Sequence, residues 1–328
     1  ASGVTAEFTG EITIVAELNP EAMPVVMWQD GDPAKVAAIG FTHQFAVLSP
    51  DFHTGKPGDA ATALSRLDDN LRCNLRSCDV WLTQRHDPYK TRFVRRDRHG
   101  REYRRFNLEA SNPELGKLVA ADAERAAYAY GSHPGLAMLL VHSEVRDGSE
   151  PAFNGPEPTA YKAFSGSDIP AEVTGRQAPN YRNIPDFPVL GVIAETMPLY
   201  RYYRWWWQEG DGWNQLHSIV HQHYKKALGA RAGDVTTFFD PSCRVPPLRG
   251  NGGSVDMLNQ WSYSYPSPIK LATAVDEERA MARGGNQKLM KTTQAIWYRS
   301  PPAPRDKSVA NPPAWVEKYP DAPYITIA

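Results

Sequence analysis

From residue 24 onward the chain repeats one pattern: a short apolar run, a cluster of turn-forming residues, then an amphipathic stretch. Such alternation is what βα units wound around a parallel sheet produce. Apolar runs at residues 25–28, 45–48, 80–83, 135–141, 235–239, 255–261 and 289–296 read as seven strands. Residues 324–327 are the candidate eighth. Between them, residues 61–76 carry Ala63, Leu64, Leu67, Leu71 and Leu75 at helical spacing, and Asn112-Pro-Glu opens a helix running to about Tyr130 with good capping chemistry. Residues 202–228 form a further helix, interrupted at Gly210 and Gly212, and residues 276–283 belong to another. With 328 residues, 41% of them hydrophobic, the chain can close one large barrel.

The expected architecture is therefore an α/β fold, a (β/α)8 TIM barrel over residues 21–328 with a long insert at about 148–200. Residues 1–20, containing Glu11-Ile-Thr-Ile-Val-Ala16, read as a short N-terminal β extension or the remnant of a preceding β module. The chain starts on Ala rather than Met and stops on the apolar run 323–328. A mature or excised piece of a longer protein is expected, with the barrel truncated at its C-terminal end.

Charge and composition exclude some roles. The net charge of −1 draws the chain neither to nucleic acid nor to an anionic membrane, and no run of 18 apolar residues could span a bilayer. The basic segment around Arg98-His-Gly-Arg101 interleaves Asp97 and Glu102, so it reads as a solvated hairpin over a cleft. Three cysteines rule out a disulfide scaffold and a four-thiolate zinc site; Cys73 and Cys78, five apart on an expected helix, look away from each other. His217 and His221 stand four apart with His223 close by, but no Glu follows His217 and a solvated helix face is expected. Gly250 to Gly253 reads as a plain turn, and Trp205-Trp-Trp207 as packing rather than a platform. No cofactor and no metal is expected.

In a barrel the chemistry sits where strands end at their carboxyl side. There the sequence offers Asp30 and Asp32, then Arg85 and His86, then His142, Glu144, Arg146 and Asp147. Asp240 follows the fifth strand, Trp261 and Tyr263 the sixth, and Gln294, Trp297 and Arg299 the seventh. Carboxylates, an arginine and aromatic faces around one rim suit a sugar, because rings stack on C–H surfaces while carboxylates bind hydroxyls and move protons. Each has a plainer role too. Glu144 could serve a salt bridge to Arg146 or Arg85, and Asp240-Pro is a common turn.

Gly135-Leu-Ala-Met-Leu-Leu-Val-His-Ser-Glu144 resembles the fourth strand of clan A glycoside hydrolases, whose acid/base Glu ends that strand. Asp97-Arg-His-Gly-Arg-Glu-Tyr with Asn107 and Asn112-Pro-Glu is similar to the segment before the third helix of family 42 β-galactosidases. Tyr203-Arg-Trp-Trp-Trp-Gln-Glu-Gly-Asp-Gly-Trp-Asn214 resembles their helix after the insert. The resemblance spans roughly residues 24–300 and implies a glycosidase acting on an O-glycosidic bond of a poly- or oligosaccharide, extracellular or periplasmic, with Glu144 as general acid/base. It also exposes two departures. Ser143 stands where the clan has the Asn that binds the sugar 2-hydroxyl, and Gln294 stands where it has the nucleophilic Glu. A neutral amide cannot form the glycosyl-enzyme ester. Gln294 is then an engineered trap, or Asp240 or Glu195 serves instead, or the barrel is a non-catalytic carbohydrate-binding or structural domain. A metal-dependent hydrolase built on His86, His142 and Asp240 is the further rival.

Overall fold

The computed structural model describes residues 23–28, 30–46, 48, 58–80, 92–103, 109, 111–143, 150–174, 193–209, 215–240, 253–262, 268–282, 287–293, 296–298 and 324–326. Along the chain these form β1 (Val26–Met27), α1 (Pro33–Ala38), β2 (His43–Ala46), α2 (Gly58–Arg72), β3 (Arg76–Val80), α3 (Pro113–Tyr130) and β4 (Leu136–Ser143). Then come α4 (Glu157–Ser165), α5 (Pro198–Arg204), a π-helical turn (Trp205–Glu209), α6 (Gln215–Leu228), β5 (Thr236–Asp240), β6 (Met257–Ser262), α7 (Pro268–Met281), β7 (Lys288–Thr293), β8 (Ile296–Tyr298) and β9 (Tyr324–Thr326).

β1 to β7 form one sheet, all parallel, in the order of the sequence. Each strand lies beside its predecessor and the order never reverses. A doubly wound sheet reverses at a switch point; a singly wound one curls toward a barrel. One face of the sheet gathers side chains from all seven strands into a single cluster: Val26 and Trp28, Phe45, Cys78, Met138 with Leu140, Phe238, Met257 and Met290. The other face, with Leu139, Val141, Phe239 and Leu258, packs against the helices in a larger cluster. Both faces are buried, which is why β4 is a near-continuous apolar run. β1 and β7 are the edges of the described sheet.

Two of the helices begin at side-chain caps. Asp32 caps α1, its carboxylate accepting from the Ala34 amide at 3.0 Å ahead of Pro33 in the first turn. Asn112 does the same for α3, accepting from the Glu114 amide at 3.0 Å. α3 and α6 pack closely behind β4 and β5. A Cβ on Gly131 would come within 2.5 Å of Leu228 Cδ2.

Several expectations need correction. The third strand starts at Arg76, not at residue 80, and α2 stops at Arg72, after which Asn74 turns the chain at φ +58°. Arg76-Ser-Cys-Asp79 looks too polar for a buried strand. Its polar groups are met by other elements: Asn70 of α2 donates to Ser77 Oγ at 2.8 Å, and Tyr130 of α3 donates to Asp79 Oδ2 at 2.5 Å. Cys73 and Cys78 consequently share no helix; the first lies in the turn and the second inside the sheet's cluster. Finally, residues 324–326 do not add an eighth parallel strand. They pair antiparallel with β8, Trp297 opposite Ile325 and Tyr298 opposite Tyr324, in a separate two-stranded sheet. The seventh parallel strand ends at Thr293, short of the expected 296. The N-terminal extension, residues 1–20, lies outside the described residues. Among the described residues no helix is long and apolar enough to cross a membrane.

Candidate active site at the carboxyl ends of the strands

Period-two alternation carries each strand from an apolar interior to a polar end. On the face that bears Met257 and Met290, the next residues along β6 and β7 are Asn259 and Thr292. They are hydrogen-bonded to each other, Thr292 Oγ1 donating to Asn259 Oδ1 at 2.9 Å. Asn259 is fully buried. The sheet's inner face therefore turns polar one step below its carboxyl rim. Trp261 stands two residues beyond Asn259, level with Thr292, and Ser262 is level with Thr293.

On the adjoining strands, β4 and β5 are in register through Leu140 and Phe238. A shift follows, so that His142 pairs with Phe239 and Ser143 with Asp240. The irregularity brings the last residue of β4 level with the last residue of β5. Asp240, expected from its strand-end position, is thus the immediate lateral neighbour of the residue that precedes Glu144 in the chain. Asp30, in the turn after β1, is exposed and lies 3.7 Å from Arg66 of α2. Trp297 is in β8, paired with β9. Glu144, Gln294, Arg85, His86, Tyr263 and Arg299 lie outside the described residues, as do the side chains of His142, Asp240, Trp261 and Trp297.

The segments after β3 and β4 build a wall at this end of the sheet. Residues 96–102 turn back as the expected hairpin, with Arg96 bridged to Glu102. Its tip carries Arg98, which donates to the carbonyls of Ile169 at 2.9 Å and Val173 at 3.0 Å, and to that of Pro170, while stacking over Phe153 at 4.6 Å. Phe153 donates its amide to the Arg96 carbonyl at 3.0 Å, and Asn154 bonds the hairpin backbone on both sides. Behind it, Tyr161, Tyr202, Trp205, Trp206 and Trp207 are all buried in edge-on contacts. The tryptophan run is packing, as its spacing suggests.

Within that wall Glu157, in the first turn of α4, is buried. Ala152 N–H and Tyr202 O–H both donate to its Oε1, at 3.0 and 3.4 Å. Burial pushes its carboxyl up to about 7 against the attraction of Arg95. Arg95 donates to the Glu150 carbonyl and lies over the Trp206 ring at 5.3 Å. Neither residue could be singled out beforehand. Glu157 sits between two prolines in an insert, and Arg95 is one of a run of arginines; only the fold puts them together.

The three histidines of α6 serve the packing. His221 pairs with Thr237 Oγ1 at 2.7 Å, His223 with Glu124 at 2.8 Å, and His217 lies on Phe239. Among the described residues no group of three or more His, Cys, Asp or Glu could hold a metal ion.

No protein-family model matches the chain, and no curated protein matches it. Solved structures do. The β-galactosidase of the psychrophilic Marinomonas ef1 superposes with a TM-score of 0.52 at 13% identity, over 83% of this chain and 48% of that one. That of Bacillus circulans sp. alkalophilus gives 0.51 at 14%, over 81% and 44%, and that of Rahnella sp. R3 gives 0.51 at 12%, over 87% and 47%. The shared feature is the fold, a parallel sheet wound in chain order with helices outside, which here is a seven-stranded half-barrel. The chain spans about half the length of these β-galactosidases.

Proposed function

We propose that the chain is the barrel of a glycoside hydrolase that cleaves an O-glycosidic bond of an oligo- or polysaccharide, with Glu144 as general acid. The observation that carries the reading is the register at the ends of β4 and β5, where Ser143 lies directly beside Asp240. Neighbouring strands stand about 4.8 Å apart, so Asp240 is a carboxylate within reach of chemistry begun at Glu144. Gln294 follows β7, three strands away in the sheet order, and carries no charge. Asp240 is the natural second carboxylate of the pair, as base toward water or as nucleophile according to their separation. About 5–5.5 Å gives retention and about 6.5–9.5 Å gives inversion. Trp261, together with Trp297 and Tyr263, supplies ring faces for the sugar. Asp30, Arg85, His86, His142 and Arg299 are the polar groups for its hydroxyls. The resemblance of residues 97–112 and 203–214 to family 42 makes a β-galactoside the first substrate to try.

A screen of aryl glycosides against the chain and three variants tests this. Glu144→Gln and Asp240→Asn should each lower kcat/KM by roughly three orders of magnitude or more, and Gln294→Glu should leave it unchanged. If Asp240→Asn is silent while Gln294→Glu creates activity, the second group belongs to the seventh strand. The neutral Gln294 favours one other reading, a carbohydrate-binding barrel without chemistry. Saturable binding of oligosaccharide with no turnover by any variant would establish it.

A further inference from the structure

β4 ends at Ser143, and the chain farther on, at residues 150–152, lies against the wall. Three contacts hold it there. Arg95 donates to the Glu150 carbonyl, Tyr103 O–H donates to the Pro151 carbonyl, and the Ala152 amide donates to Glu157. The first two come from the hairpin segment after β3, the third from α4. Glu157 is thus the acidic side chain that makes one of these three contacts.

Among the described residues Arg95 is the cation that acts on Glu157. Facing it are Arg95 and Tyr103 from the hairpin segment, Glu109 from the chain before α3, and Tyr202 from α5, with Glu150 also acting on Tyr103. Glu109 is buried as well, and Gly155, at φ +70°, is pressed so closely on it that a Cβ there would stand 1.3 Å from Glu109 Oε1. Two buried carboxylates therefore act on each other, and Arg95 offsets the charge of Glu157. Glu157 Oε1 receives both of its donors, whereas Glu157 Oε2 and Glu109 Oε1 have no hydrogen-bond partner among the described residues. A buried carboxylate with one oxygen unsolvated is costly as an anion and much less so as an acid. Protonation at Oε2 leaves Oε1 free to accept from Ala152 and Tyr202.

We propose that Glu157 is a positioning residue: as a neutral acid it clasps residues 150–152 to the wall, and its ionisation loosens them. Burial raises its titration from 4.5 to about 7, so the folded chain binds more protons than the unfolded chain between those values. The clasp is firm below that window and weakens as pH rises through about 7.

The test reads hydrogen exchange at the Ala152 and Phe153 amides, corrected for intrinsic base catalysis, from about pH 5 to about pH 8, in the intact chain and in Glu157→Gln. Protection in the wild type should fall roughly tenfold or more across the window and stay level in the variant, whose amide is neutral throughout. Equal pH dependence in both would overturn the proposal. Should the variant fail to fold, a carboxyl titration of carbon-13-glutamate-labelled wild type decides: a Glu157 signal moving at an ordinary value near 4–5 overturns the clasp, one near 7 supports it. The activity arm rests on the glycosidase reading. There, Glu157→Gln should extend the alkaline limb of kcat/KM with KM nearly constant, and an unchanged limb counts against the positioning role. Absence of any hydrolysis defeats the glycosidase reading alone, because the exchange and titration arms need no substrate.

Discussion

The two sides of β4 are held by different physics. Along its length the strand is bedded in apolar surface: Leu139 and Val141 pack under α3 and α6, where Val119, Ala123, Val220 and Tyr224 close over them. Past its carboxyl end the chain is held by a polar wall, in which Arg95 and Arg98 fasten backbone carbonyls 55 and 75 residues away in the sequence and Glu157 fastens the nearby Ala152 amide. Apolar burial is indifferent to pH and to small shifts. Buried charges and directional bonds respond to both. The frame of the sheet is thus apolar, and the wall beside it is polar.

That contrast can be broken in four ways. Leu139→Ala, inside the frame, should cost about 3–4 kcal/mol by urea unfolding, equally at about pH 5 and about pH 8. A strong pH dependence of that cost would mean that frame and wall unfold as one coupled network.

His43 tests the frame's own exception. It is buried on β2 near Arg76, and burial, aided by that charge, lowers its titration to about 4. The unfolded chain then binds the extra proton first, so stability falls as pH drops from about 6.5 toward about 4, by up to about 3 kcal/mol. His43→Gln should flatten this acid limb in thermal unfolding scans. An unaltered limb would assign it to carboxylates elsewhere.

Arg98→Ala removes the donor from three carbonyls and the stack on Phe153. The expected cost is about 2–3 kcal/mol, seen as lost exchange protection at residues 169–173 while β4 amides stay protected. Uniform loss across the barrel would erase the distinction between frame and wall.

Gly155→Ala puts a methyl group into Glu109 at a left-handed backbone position. A cost of about 1–2 kcal/mol is expected, confined to the wall and visible as a small drop in thermal midpoint. No drop would show that Glu109 moves aside freely, leaving Glu157 less constrained than the clasp requires.

The order of elements could be read directly. Parallel strands buried on both faces tend to be apolar runs, and β4 is one; the Asn112-Pro113 cap announces α3 because four amides at a helix start need an acceptor. β3 escaped notice because local composition hides a strand whose polar side chains are satisfied by α2 and α3, far along the chain. Strand-end position marked Asp240, and pairing then placed it beside Ser143. Arg95 and Glu157 carried no local signal.

The sequence by itself determined the winding: seven apolar runs separated by amphipathic stretches allow a parallel sheet in chain order, since each helix must return the chain to the same edge. Only the tertiary structure decided which strand ends stand level, because one irregularity in β4 shifts its register against β5. Only the tertiary structure, too, made Glu157 a weak acid, because desolvation depends on what surrounds a carboxyl and not on which residues flank it in the chain.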